Sequence, residues 1–153
     1  FEVVKGFKGI KRRMQQRGQA AGVRVFDDFA HHPTAIATTV QALRAHLPEA
    51  ARLLAVLEPR SNTMKMGLMR DQLAGSLAQA DQVFAYSRGL DWSLEESLTS
   101  LRPQAFISDE IDRLVASVVK QARPGDAVLV MSNGGFEGIH ERLLQGLTQA
   151  AAS

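Results

Sequence analysis

Three short stretches carry the residue types that could do chemistry. In Asp27-Asp28-Phe29-Ala30-His31-His32-Pro33-Thr34, an acidic pair and two imidazoles stand just before a proline. A carboxylate such as Asp28 can accept hydrogen bonds from a ribose diol, and imidazoles near a helix N-terminus can meet anions or stack on a ring. The plainer alternative is that Asp28 only satisfies loop amides and His32 caps a helix. In Glu58-Pro59-Arg60-Ser61-Asn62-Thr63, Arg60 offers a planar fork of donors suited to a carboxylate, with Ser61 and Asn62 as short polar arms. Here too a plainer reading stands: Asn62 or Thr63 caps the next helix and Arg60 is a solvated charge. In Ser132-Asn133-Gly134-Gly135-Phe136-Glu137-Gly138-Ile139-His140, paired glycines let a backbone approach a ligand closely with its amides facing it. Such glycine-rich turns also occur simply as packing.

Some chemistries are excluded. No glycine is followed by lysine anywhere in the chain, so the Gly-x-x-x-x-Gly-Lys-Ser/Thr cradle for a triphosphate is missing. There is no cysteine, His31 and His32 are adjacent, and His46 and His140 fall on other predicted helices, so no ligand set with ordinary zinc spacing assembles and no metal site is expected. Lys11-Arg12-Arg13 is a short basic cluster, either a solvated face or a group turned toward a phosphate outside the core.

The elements that must position these stretches are legible in the periodicity. Residues 23–27, 52–57, 82–86, 105–107 and 127–131 read as strands, and Leu53 to Leu57 and Val128 to Val130 are apolar without interruption, as in strands buried on both faces. Between them, Ile36, Val40, Leu43 and Leu47, then Ile111, Leu114, Val115 and Val118, then Ile139, Leu143 and Leu147 form helical stripes. A further helix is expected over residues 64–80. Pro33 suits a first helical turn beside His32, and Pro124-Gly125-Asp126 a turn before the last strand. Residues 11–17 and 23–27 flank a glycine-bounded stretch at 18–22, which predicts an antiparallel hairpin. The expected fold is therefore α/β: a Rossmann-like, mostly parallel sheet flanked by helices, with an antiparallel N-terminal hairpin strand. In such sheets ligands bind beyond the carboxyl ends of the strands, which is where all three stretches fall.

The 153 residues suit a single domain, and 45% hydrophobic with 22% charged residues suits a globular chain. Eighteen basic against sixteen acidic residues give a weak field, so no nucleic-acid partner is expected, and no apolar run is long enough to span a membrane. The lack of cysteine fits a cytoplasmic setting. A start at Phe1 suggests a cut within a longer polypeptide.

Together, Gly9-Ile10-Lys11-Arg12-Arg13-Met14 and the three stretches resemble the third, C-terminal domain of the Mur ligases, and the likeness spans almost the whole chain. On that resemblance, residues 1–10 are an interdomain linker remnant and 11–153 the domain. The acidic-histidine stretch resembles the subgroup that acts on muramate. The resemblance implies an ATP-dependent ligase joining UDP-N-acetylmuramate to L-alanyl-γ-D-glutamyl-meso-diaminopimelate in peptidoglycan recycling. The route would pass through an acyl phosphate, and ATP and magnesium would be held mainly by a central domain. It further implies that Arg13 reaches the terminal phosphate and Asp28 the ribose, that His31 and His32 position substrate or nucleotide, and that Arg60, Ser61 and Asn62 bind the diaminopimelate end. Ser132, Asn133, Gly134 and Gly135 would shape the peptide pocket. Peptide and ATP are then shared with an N-terminal and a central domain, and the fragment alone is expected to be inactive. Gln15 departs from the family, which often has glutamate there. Two rivals are a ligase that adds alanine to UDP-N-acetylmuramate and a non-catalytic module that binds a peptide or amino acid.

Overall fold

The computed structural model describes residues 14–30, 32–59, 67–90, 92–101, 105–132 and 134–152, with backbone alone for 67–71. Among these residues the chain forms one six-stranded sheet. Its strands are β1 (Gln15–Ala20), β2 (Val23–Asp28), β3 (Leu53–Leu57), β4 (Gln82–Tyr86), β5 (Ala105–Ser108) and β6 (Ala127–Met131). The order across the sheet is β1-β2-β6-β3-β4-β5, with β1 antiparallel to β2 and every other pair parallel. The helices are α1 (Pro33–His46), α2 (Gly67–Ser76), α3 (Leu94–Ser97), α4 (Ile111–Gln121) and α5 (Ile139–Ala152).

The central strands explain the layering. Every residue of β3 and β6 is buried, so both faces of the sheet need a helical cover. Alternation along each strand then sorts the apolar residues. Leu53, Ala55, Leu57, Leu129 and Met131 pack with Ile36, Val40 and Leu43 of α1, Leu73 of α2 and Leu94 of α3. Leu54, Val56, Val128 and Val130 pack with Leu114 and Val118 of α4 and with Ile139, Leu143 and Leu147 of α5. Among the described residues three helices cover one face and two the other. At the amino edge Arg52 grips Asp126 through Nε (3.2 Å) and Nη2 (2.7 Å), tying the start of β3 to the start of β6. No helix among the described residues is long and apolar enough to cross a membrane.

The expected strands and helical stripes are present, one local reading is corrected and one short helix was not announced. The hairpin turn is not the stretch 18–22, since β1 runs on to Ala20 and only Ala21 and Gly22 turn the chain, at φ 56° and 78°. Two central residues with positive φ match the right-handed strand twist, and Gly22 is held close, because an added Cβ would lie 3.0 Å from the Pro124 Cβ. The short helix α3 had no apolar stripe long enough to announce it, and it is capped by the Ser93 hydroxyl accepting from the Glu96 N–H. Residues 60–66 lie outside the described residues, so of the helix expected over 64–80 the structure describes Gly67–Ser76.

Candidate functional site

Strand register sets out the site row by row. Asp28 pairs with Met131, Met131 with Leu57, and Leu57 with Ala85, which places these four residues side by side at the carboxyl rim. The next residues along are Phe29, Ser132, Glu58 and Tyr86. After β2 and β3 the chain enters helices on one face, whereas after β6 it enters α5 on the other. The rim around β6 is therefore the point where connections diverge, and in open α/β sheets that divergence opens a ligand crevice.

The two adjacent aspartates have separate jobs, because successive strand residues face opposite sides. Asp28 faces α1. It is 2% exposed, and its carboxylate accepts from the Met14 N–H (2.7 Å), the Ala30 N–H (2.9 Å) and the Thr39 hydroxyl of α1 (3.0 Å). Asp28 thus holds both the chain entering β1, where Met14 is at φ 51°, and the loop leaving β2. It satisfies loop amides, as the plainer of its two readings expects. Asp27 faces α5, where its Oδ1 meets His140 Nε2 at 2.7 Å, with Arg17 3.8 Å from Oδ2. His140 is thereby committed to a buried link between β2 and α5.

His32 occupies the N-cap position of α1 with extended backbone, and Pro33 follows at the first turn as expected. Its side chain makes no capping hydrogen bond, and the first turn of α1 carries no acidic residue. His32 is thus the N-cap residue as expected, through its backbone carbonyl, which accepts the Ile36 N–H at 2.9 Å, and not through its imidazole.

On the opposite face, Ser132 is fully buried and donates its hydroxyl to the Glu58 carboxylate while accepting the Gly134 N–H at 3.0 Å. The Ser132 N–H donates to the Asp28 carbonyl (3.2 Å) and the Glu58 N–H to the Met131 carbonyl (3.0 Å), so the ends of β2, β6 and β3 are laced together. Ser132 braces the rim rather than offering an open hydroxyl. Gly134 and Gly135 follow it. Gly135 has an ordinary φ of −78°, and an added Cβ would meet nothing within 4 Å among the described residues, so neither conformation nor packing against them calls for glycine there.

Beyond Gly135 the backbone changes hand: Phe136, Glu137 and Gly138 lie at φ 51°, 52° and 69°. For residues with a Cβ this conformation costs roughly 1–2 kcal/mol each. What holds it is visible. The buried Phe136 ring stacks on Tyr86 with centroids 5.4 Å apart, the Tyr86 hydroxyl donates to the Glu137 carboxylate, and Arg142 Nε donates to the Glu137 carbonyl (2.9 Å). Burial, and then the hydrogen bond to Glu137, push the Tyr86 phenol up to about 12.

Asp28, His32, Ser132, Gly134 and Gly135 come together at this rim, whereas Arg13, His31, Arg60, Ser61, Asn62 and Asn133 lie outside the described residues. Sequence reasoning gave no role to Glu58, Tyr86 or Glu137. Glu58 was detectable as the residue following an all-apolar strand. Tyr86 was not, because its partner lies 51 positions further along. Among the described residues no group of three or more His, Asp or Glu side chains is placed to hold a metal ion.

The glutamate ligase domain of the Mur ligases matches residues 12–134, and this chain belongs to that family. Within it, the chain is 52% identical over 146 residues to the UDP-N-acetylmuramate–L-alanyl-γ-D-glutamyl-meso-2,6-diaminoheptandioate ligase of Escherichia coli K12, covering 95% of this chain and 32% of that protein. The crystal structure of a murein peptide ligase from Psychrobacter arcticus 273-4 superposes with a TM-score of 0.83 at 45% identity, over 95% of this chain and 32% of that one. A UDP-N-acetylmuramate–L-alanine ligase from Mycobacterium sp. strain JLS stands further off, 31% identical over 158 residues, covering 95% of this chain and 32% of its own. The chain spans about a third of the length of the curated relatives it matches.

Proposed function

We propose that this domain captures and aims the peptide in an ATP-dependent ligase that joins UDP-N-acetylmuramate to L-alanyl-γ-D-glutamyl-meso-diaminopimelate, in the cytoplasm, during peptidoglycan recycling. The observation that carries the reading is the rim around β6, where an open glycine turn is braced by Ser132 and Glu58 on one face and the Asp28-held loop enters α1 on the other. The greater identity to the tripeptide ligase than to the alanine ligase favours the larger acceptor.

In this reading ATP phosphorylates the muramate carboxylate on neighbouring domains. The free amine of the tripeptide then attacks the acyl phosphate, and the tetrahedral intermediate expels phosphate. Magnesium and the triphosphate sit mainly on the central domain. Arg13 closes onto the terminal phosphate, and Asp28 fixes the backbone directly after it through the Met14 N–H. Asp28, at the head of the loop it anchors, meets the ribose, and His31 and His32 beside the start of α1 position nucleotide or substrate. Arg60, Ser61 and Asn62 take the carboxylates and amine of the diaminopimelate end, and Asn133, Gly134 and Gly135 line the peptide backbone. Domain closure brings the two walls together.

The test is tripeptide-dependent phosphate release by the full-length protein. Arg13→Ala and Asp28→Ala are each expected to lower kcat/KM by about tenfold or more, with Asp28→Ala also lowering thermal stability, since it orphans buried donors. Unchanged kinetics in both variants would remove their assignments.

A further inference from the structure

Tyr86 lies on β4, two strands away from β6, yet its side chain governs the turn that leaves β6. Phe136, Glu137 and Gly138 form a left-handed turn that two residues with side chains do not adopt unaided. Strained backbone of this kind persists only where surrounding contacts fix it. Tyr86 supplies two of those contacts from one rigid position, its ring stacked at 5.4 Å and 24° against Phe136 and its hydroxyl donated to Glu137. Being 2% exposed and paired in the sheet with Ser108, it cannot easily follow the turn if the turn moves. The Gly138 N–H closes onto the Gly135 carbonyl at 3.1 Å, so the hand of the turn dictates where the Gly135 peptide group points.

We propose that Tyr86 is a positioning residue for peptide capture: by latching Phe136 and Glu137 it holds the Gly134 and Gly135 backbone in the orientation that meets the peptide. The proposal rests on the reading of this turn as part of the peptide pocket. Tyr86 touches no substrate itself. Its effect is therefore on peptide affinity and not on the phosphoryl step.

The experiment uses the full-length ligase with Y86F, E137A, E137Q and the Y86F/E137A double variant. Y86F keeps the stacked ring and loses only the latch hydrogen bond. Y86F and E137A are each expected to raise the KM for the tripeptide about five- to tenfold, the worth of one such bond, with the KM values for ATP and UDP-N-acetylmuramate within about twofold of wild type. E137Q, which keeps an acceptor oxygen, retains the wild-type KM, and the double variant is no worse than either single one. Amide exchange in the segment 134–142 quickens in Y86F while the rest of the domain keeps its protection. Y86F with an unchanged tripeptide KM, equal rises in all three KM values, or additive single effects would overturn the latch while leaving the proposed function standing. A wild-type enzyme that does not use the tripeptide overturns both.

Discussion

At the scale of single residues, Asp28 and Ser132 are the polar groups that the motifs marked most clearly, and both are turned inward. Asp28 holds two backbone amides and a hydroxyl, and Ser132 holds Glu58 and an amide, so these residues shape the rim more than they present themselves at it. Gly135 is the opposite case. Among the described residues its position has room for a side chain, and its φ is one that any residue adopts, so Gly135→Ala is expected to leave the thermal unfolding midpoint unchanged while raising the tripeptide KM several-fold. A lowered midpoint with an unchanged KM would show that the glycine serves the fold. The sequence made residue types at the site legible but not their direction. Asp27 and Asp28 read as one acidic pair, yet strand alternation sends one to His140 of α5 and the other to Thr39 of α1.

At the scale of elements, the strands were the most legible part of the chain, since β3 and β6 are apolar throughout, and β4 and β6 begin and end at the expected residues. Turns were less so. Glycines at 18 and 22 suggested a five-residue link, whereas Gly18 lies within β1 beside Leu144 and only Ala21 and Gly22 make the turn. Ala21 sits at φ 56°, where an alanine is strained, and Ala21→Asn should stabilise the domain by about 0.5–1 kcal/mol. Chemical denaturation measures this, and a destabilised variant would refute the turn assignment. The latch between β4 and the turn after β6 has its own signature. The folded phenol of Tyr86 holds its proton up to about 12 against an ordinary value of 10, so its stabilisation is complete below pH 10 and is lost as pH rises toward 12. Over that window the wild-type unfolding midpoint should fall more steeply than that of Y86F, and parallel curves would mean that the phenol gains nothing from the fold.

At the scale of the whole molecule, the chain spans about a third of the length of the relatives it matches, and on the proposed function its rim is one wall of a cleft. The sheet is pinned at its amino edge by Arg52 and Asp126 and laced at its carboxyl rim by Ser132 and Glu58, so the rim is held as one rigid piece. The absence of a Gly-Lys pair, read in the sequence, fits an account in which the triphosphate is held elsewhere. The central claim is that this rim serves a tripeptide, and it is tested most directly by kcat/KM of the full-length enzyme for L-alanyl-γ-D-glutamyl-meso-diaminopimelate and for free L-alanine, each with ATP and UDP-N-acetylmuramate saturating. The account predicts a preference for the tripeptide of about a hundredfold or more, because a site built to pair with the polar groups of the longer acceptor leaves them unsatisfied with alanine. Equal or better use of L-alanine would contradict it.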